Sequence, residues 1–173
     1  EYYLADCVQL SVGAGREVHG IPGTMTAIMG VNDRQQLADL NQLIQRKRRS
    51  ALMARGVTLV DPDTVYLNGR HLEIHPDTII EPHVTLNGPI SIESNVRVGF
   101  GCYLTNVAIG EYSVIKPYTV AESATIGREA QIGPFSRLRP GTELSDKTHV
   151  GNFCEIKNAD VAEGSKINHL SYV

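Results

Sequence analysis

From Ile74 to Val173 an aliphatic residue returns at nearly every sixth position, and this interval restricts the fold more than any other feature of the chain. The series runs Ile74, Ile80, Leu86, Ile92, Val98, Leu104, Ile109, Ile115, Val120, Ile126, Ile132, Leu138, Leu144, Val150, Ile156, Val161, Ile167, Val173. Only the steps Leu104 to Ile109, Ile115 to Val120 and Ile156 to Val161 are five residues long, and each reads as a one-residue deletion at a corner. Four places after each anchor the residue is usually small or β-branched, as at Thr78, Val96, Cys102, Ser113, Thr148 and Cys154, which implies a second inward column. A period of six fits neither an α-helix nor a heptad coil; it fits short strands separated by turns, as in hexapeptide parallel β-helices. Three hexads make a triangular coil of about 18 residues, and coils stack at roughly 4.8 Å. An ordinary sandwich would instead alternate with period two over longer runs. Gly99, Gly110, Gly127, Gly133 and Gly151 directly follow anchors, where a corner demands positive φ or close backbone approach.

Aromatic residues are 6% of the 173, which suits a ladder of stacked Ile, Val and Leu better than a compact mixed core. A net charge of −3 supplies no global attraction to nucleic acid or an anionic membrane. No apolar run approaches the length of a membrane span and no signal peptide is visible. The chain starts at Glu1 without a Met and ends on an anchor, so both ends read as cut from a longer protein. Cys7, Cys102 and Cys154 leave an odd thiol, which points to a reducing compartment. Cys102 and Cys154 fall in one column three coils apart, about 14 Å, too far for a disulfide, and read as buried small hydrophobes.

Ahead of the repeat, residues 1–15 read as an amphipathic helix closed by Gly13 and Gly15, followed by a short strand at 18–21 and an irregular return over 24–31. A second helix begins at Asn32 or Asp33, carries Leu37, Leu40 and Ile44 on one face, and ends near Gly56. Its basic run Arg46-Lys47-Arg48-Arg49 lacks aromatic companions and reads as a solvated helix face. From Val57 to the first regular anchor the turns Asp61-Pro62-Asp63 and Asn68-Gly69 mark an irregular cap coil.

Chemistry is sought where a charged residue stands directly after an anchor. Arg139 follows Leu138 and Lys157 follows Ile156, three hexads or one full coil later, so the two cations share a column on adjacent coils. Two neighbouring cations are mutually unfavourable unless an anion lies beside them. One more coil brings Tyr172 to the edge of that face, with His169 on the preceding corner. Two cations, a phenol and an imidazole on one wall suit an anionic substrate with a proton to be removed. Neutralisation of the pair by Glu155 or Asp160 is the plainer alternative. The six histidines, His19, His71, His75, His83, His149 and His169, do not form the compact three-histidine set of the γ-type carbonic anhydrases.

The segments Glu1-Tyr2-Tyr3-Leu4-Ala5-Asp6, Gly30-Val31-Asn32-Asp33-Arg34, Arg137-Leu138-Arg139-Pro140-Gly141, Val150-Gly151-Asn152-Phe153-Cys154-Glu155-Ile156-Lys157 and Asn168-His169-Leu170-Ser171-Tyr172 are collinear with a known family. The chain resembles the bacterial bifunctional N-acetylglucosamine-1-phosphate uridylyltransferase/glucosamine-1-phosphate N-acetyltransferase family. The resemblance implies a mainly β protein: a left-handed parallel β-helix, a hexapeptide-repeat solenoid, preceded by a short α/β remnant of a nucleotidyltransferase domain and a linker helix. It divides the chain into 1–34 (uridylyltransferase remnant), 35–55 (linker helix) and 56–173 (first part of the acetyltransferase β-helix). It implies that His169 is the general base of acetyl transfer from acetyl-CoA, that Arg139, Lys157 and Tyr172 hold the sugar phosphate, and that Asn32 helps hold the Mg2+ of a uridylyl site using UTP. It further implies a cytoplasmic homotrimer with each acetyl-transfer site shared between neighbouring prisms, and no nucleic-acid or membrane partner. The rest of the uridylyl site would precede Glu1 and the acetyl-CoA coils would follow Val173, so the expectation for this stretch alone is no turnover. A rival reading is a hexapeptide-tailed sugar nucleotidyltransferase whose β-helix only assembles subunits, and another a non-enzymatic trimeric scaffold.

Overall fold

The computed structural model describes residues 3–173, with the side chains of Met25 and Thr26 left aside. The chain forms two compact units divided between Leu40 and Asn41. In the first, a helix at Asp6–Gly13 buries none of its residues and is followed by Gly15 at φ 70°. The part of the expected helix at Glu1 and Tyr2 lies outside the described residues. The strand expected at 18–21 does not form: the segment carries no strand pairing and Ile21 is 91% exposed. A strand needs a partner for its N–H and C=O groups, and none pairs with it among the described residues. A four-residue helix, Met25–Ile28, stands in the stretch expected to be irregular. Before Thr58 the described residues contain helices and no strand, so the expected α/β arrangement is not seen there.

The long helix Arg34–Ala54 starts at a reciprocal cap. Asp33 Oδ1 accepts the Gln36 N–H at 2.7 Å, and Gln36 Oε1 accepts the Asn32 N–H at 2.8 Å. It ends with Gly56 at φ 91° and the Val57 N–H donated to Leu52 O at 3.2 Å, a C-terminal closure that requires a left-handed residue.

The second unit is a parallel solenoid. One face is a seven-stranded sheet whose two-residue rungs are Thr58–Leu59, Ile79–Ile80, Arg97–Val98, Val114–Ile115, Gln131–Ile132, His149–Val150 and Lys166–Ile167. The other two faces merge into a nine-stranded sheet, because Thr85–Ile92, Tyr103–Ile109 and Val120–Ile126 run through the corner between them. The aliphatic ladder fills the interior: Ile74, Ile80, Leu86, Ile92, Val98, Leu104, Ile115, Ile132, Leu138, Val150 and Ile156 are completely enclosed. Each such side chain contributes about 1.5–3 kcal/mol relative to exposure. The second column is also buried, from Thr78 through Cys102 and Ser113 to Cys154. Most of its hydroxyls and thiols bond to backbone, as Ser113 Oγ does to Gly127 O at 2.7 Å, whereas Thr148 Oγ1 is buried without a partner among the described residues. Burial pushes the Cys102 thiol up to about 12.

One anchor moves. Leu104 and Leu138 both pair with Ala121, which is 1% exposed, whereas Val120 points outward and is 40% exposed. The short step is therefore Ala121 to Ile126, and all three short steps fall on the same corner of the prism. Each turns on a left-handed residue, Asn106, Ser123 or Asn158. The glycines after anchors also need a finer statement. Of the five only Gly133 has positive φ, at 92°. Gly99, Gly110, Gly127 and Gly151 are there for close approach: a Cβ on Gly127 would lie 2.6 Å from Asp146 N. Elsewhere the left-handed position is commonly the third residue after the anchor, as at His83, Tyr118, Phe135 and Phe153.

The basic run on the long helix is a solvated face only in part: Arg46 and Lys47 are exposed, whereas Arg48 is half-buried and Arg49 buried. Arg49 is 3% exposed and donates to Asp63 O at 3.1 Å, Val65 O at 3.3 Å and Asp63 Oδ1 at 3.0 Å. Arg48 donates to Leu67 O, and Gln45 bonds both Leu67 N–H (2.8 Å) and Leu67 O (3.1 Å). Tyr66–Asn68 is the outermost strand of its sheet, and its open edge needs partners that a charged helix supplies.

Candidate active site at the last coils

The site side chains are carried by three successive rungs of one wall. Arg137 pairs with Glu155 and Leu138 with Ile156, so Arg139 and Lys157 occupy the same position on adjacent coils. Their backbones are fixed: Arg139 N–H donates to Ile156 O and Lys157 N–H to Val173 O, both at 2.8 Å. Thr142 Oγ1 donates to Arg139 O at 2.7 Å, and Gly141 at φ 80° turns the chain against Asn158. A bridge between Glu155 and Tyr172 puts the phenol on the next rung of the same wall, 70% exposed.

His169 stands on the corner leading to Tyr172, exposed. Two contacts hold that corner close. Cys154 Sγ donates to Asn168 O at 2.6 Å, and Leu170 N–H donates to Asn152 O at 3.1 Å. Gly151 leaves the room: a Cβ there would meet His169 N at 3.0 Å. Along the same corner of earlier coils, the rings of Tyr118, Phe135 and Phe153 stack at 5.0 and 5.3 Å, ending at Leu170 on the histidine's own coil.

The cations differ in state. Arg139 Nη1 lies 2.9 Å from Glu155 Oε1, both side chains about one-third exposed, so the plainer alternative of neutralisation holds for this residue. Lys157 is exposed and joins no ion pair among the described residues. One tethered guanidinium and one free ammonium on neighbouring rungs leave a net positive wall, which a phosphate oxygen can bridge. Glu155 as the Arg139 counter-ion was within reach of the sequence: it directly precedes an anchor on the rung beside Arg139. The thiol contact of Cys154 had no signal, since a buried cysteine reads as packing alone.

Asn32 lies in the other unit, where its N–H is engaged in the helix cap. Among the described residues no group of three or more His, Cys, Asp or Glu side chains is placed to hold a metal. A single neutral amide oxygen does not make a Mg2+ site, which is built on carboxylates, phosphates and water. The residues present therefore do not fit that ion on their own. No helix of the described residues is long and apolar enough to cross a membrane.

Parallel rungs on a six-residue repeat, with a cation-bearing wall, define a hexapeptide-repeat β-helix domain. The chain belongs to the family described as the GMPPB C-terminal domain, which matches residues 65–169. It is similar over all of its length to the "Bifunctional protein GlmU" of Methylococcus capsulatus (42% identity), Burkholderia multivorans (41%) and Marinomonas sp. (44%). The chain spans 38% of the length of each of these relatives. Among solved structures it is similar to the acetyltransferase domain of PglB from Neisseria gonorrhoeae, at 17% identity and a TM-score of 0.40, over 74% of this chain and 63% of that one.

Proposed function

We propose that this stretch carries the sugar-phosphate clamp and the general base of a glucosamine-1-phosphate N-acetyltransferase within a longer bifunctional enzyme of UDP-N-acetylglucosamine synthesis. The observation that carries this reading is the register that sets Arg139 beside Lys157, with Tyr172 one rung on and His169 at the adjoining corner. Whole-length similarity to relatives named as bifunctional supports it. In the proposed reaction Lys157, Arg139 and Tyr172 hold the phosphate and so fix the sugar amine near His169. The amine nitrogen attacks the thioester carbonyl of acetyl-CoA while the imidazole takes its proton. The C–N bond forms, the C–S bond breaks, and the departing thiolate is protonated to free CoA.

Glu155 competes with the phosphate for Arg139, so Lys157 is the stronger attachment point and Arg139 the orienting one. The same reading makes the longer protein a cytoplasmic trimer. It gives that protein a second activity, uridylyl transfer from UTP, in which Asn32 is a ligand supplied toward Mg2+ alongside groups from elsewhere. The test is steady-state acetyl transfer by a full-length protein bearing this sequence. Lys157→Ala raises KM for glucosamine-1-phosphate about tenfold or more with a smaller effect on kcat, the pattern of a lost binding contact. An unchanged KM in that variant would remove Lys157 from the clamp, and no acetyl transfer by the unsubstituted full-length protein would favour the β-helix as an assembly scaffold only.

A further inference from the structure

We infer that the base of the solenoid holds a second anion site, built by Arg48, Arg55 and Arg70, that takes the phosphate group of a small phosphorylated molecule. These three arginines line one cavity of about 370 Å3 between the end of the long helix and the first coil, and no carboxylate lines it. The ion pairs of the described residues engage Arg49, Arg97, Arg128 and Arg139, and none of these three. Arg48 spends one donor on Leu67 O and Arg55 spends one on Ile74 O at 3.2 Å. A guanidinium has five N–H groups, so most remain free to bond a ligand. Three like charges around one small space repel each other, and a multiply charged anion among them reverses that sign. Arginine forks also match the geometry of phosphate oxygens.

Arg70 and Leu72 also line a larger recess of about 570 Å3 on the neighbouring coils. The short corners at Asn106 and Ser123 fall on consecutive coils, and both residues line it. Asn106 Nδ2 donates to Ser123 Oγ at 3.1 Å, which leaves acceptor and donor capacity turned outward. Ser91 and Ala108, with the carboxylate of Glu73 at the edge, complete a shallow, mixed recess whose hydrogen-bond acceptors suit the hydroxylated body of the same ligand rather than its phosphate. Arg70 thus stands where a phosphate in one cavity and its ester group in the other would meet. This site is separate from the wall of Arg139 and Lys157, and it does not depend on the acetyl-transfer reading.

The experiment is a 31P NMR and calorimetric titration of the chain, unsubstituted and in its variants, with inorganic pyrophosphate. Unsubstituted protein and an Arg139→Ala/Lys157→Ala double variant are expected to bind alike at the base site, while Arg70→Ala weakens binding by about tenfold, the scale of one lost charge-assisted contact. Arg70 makes no bond that holds the fold among the described contacts, and Arg70→Glu gives a second variant in which binding is abolished rather than weakened. Pyrophosphate binding lost only in the double variant, or no binding up to about 10 mM in any of them, overturns the assignment. A glycerol phosphate arm then reads the recess: a Ser123→Phe variant is expected to lose affinity for it while keeping that for pyrophosphate. Equal losses for both ligands would remove the recess from the site.

Discussion

Replacing Arg49 by Met keeps the aliphatic stem and removes the guanidinium that closes the first coil. Three hydrogen bonds go with it, to Asp63 O, Val65 O and Asp63 Oδ1. They are not equal. The Asp63 side chain is 89% exposed and rehydrates freely, so its share is that of a surface pair, at most about 1 kcal/mol. Val65 is fully enclosed, and its carbonyl has no route to water once the donor is lost. A buried acceptor left without a partner costs about 1–3 kcal/mol. The sum is a loss of about 1–4 kcal/mol, moderated because a buried charge is also removed. With a urea slope of about 2 kcal/mol/M the midpoint falls by about 0.5–2 M, read by far-UV circular dichroism. Arg46→Met, on the exposed side of the same run, is expected to move stability by less than about 0.5 kcal/mol. Equal midpoints for the two variants would refute the capping role and return the whole run to solvent.

Further outcomes follow from the same geometry. With Cys102 and Cys154 buried and Cys7 exposed, a thiol reagent should titrate one cysteine in native protein and three in denaturant; rapid reaction of three in native protein would contradict the packing. Ala121→Leu should cost about 1–3 kcal/mol by overpacking, while Val120→Ala costs under about 1 kcal/mol; the reverse order would restore Val120 as the inward residue. The hydrogen bond from Arg97 holds the Glu81 carboxyl below its usual value of 4.5. A folded value below the unfolded one means this stabilisation is present above about pH 4.5 and disappears as pH falls through the folded value. Arg97→Gln should therefore raise the Glu81 titration midpoint by NMR and lower stability above about pH 4.5, with the difference from the unsubstituted protein vanishing as pH falls through the folded value. A shifted stability at pH 7 with an unmoved carboxyl would point elsewhere.

Much of the fold was legible because the interior of a solenoid is one-dimensional. A residue six places on meets the same environment, so Ile74 to Ile156 announce themselves without any long-range information. Val120 misled for a local reason: side by side with Ala121 it is the more hydrophobic, yet the pairing of Ala121 with Leu104 and Leu138 decides which one faces inward. Arg49 misled for the opposite reason. A charged side chain on a helix reads as exposed unless the neighbour that it caps is known, and that neighbour, Val65, is sixteen residues away with no periodic link to it. The wall of Arg139, Lys157 and Tyr172 could be counted out, because each follows or precedes an anchor. The thiol bond that tethers the His169 corner depends on side-chain direction, which spacing does not carry.

The central functional claim is that His169 removes the proton from the attacking amine. The direct measurement is the rate of free-thiol release from acetyl-CoA, at saturating glucosamine-1-phosphate, by a full-length protein bearing this sequence with His169→Ala. Loss of the base should lower kcat by about 100- to 10,000-fold and leave KM for the sugar phosphate within a few-fold, since Arg139 and Lys157 are untouched. A kcat within twofold of the unsubstituted protein would contradict the account.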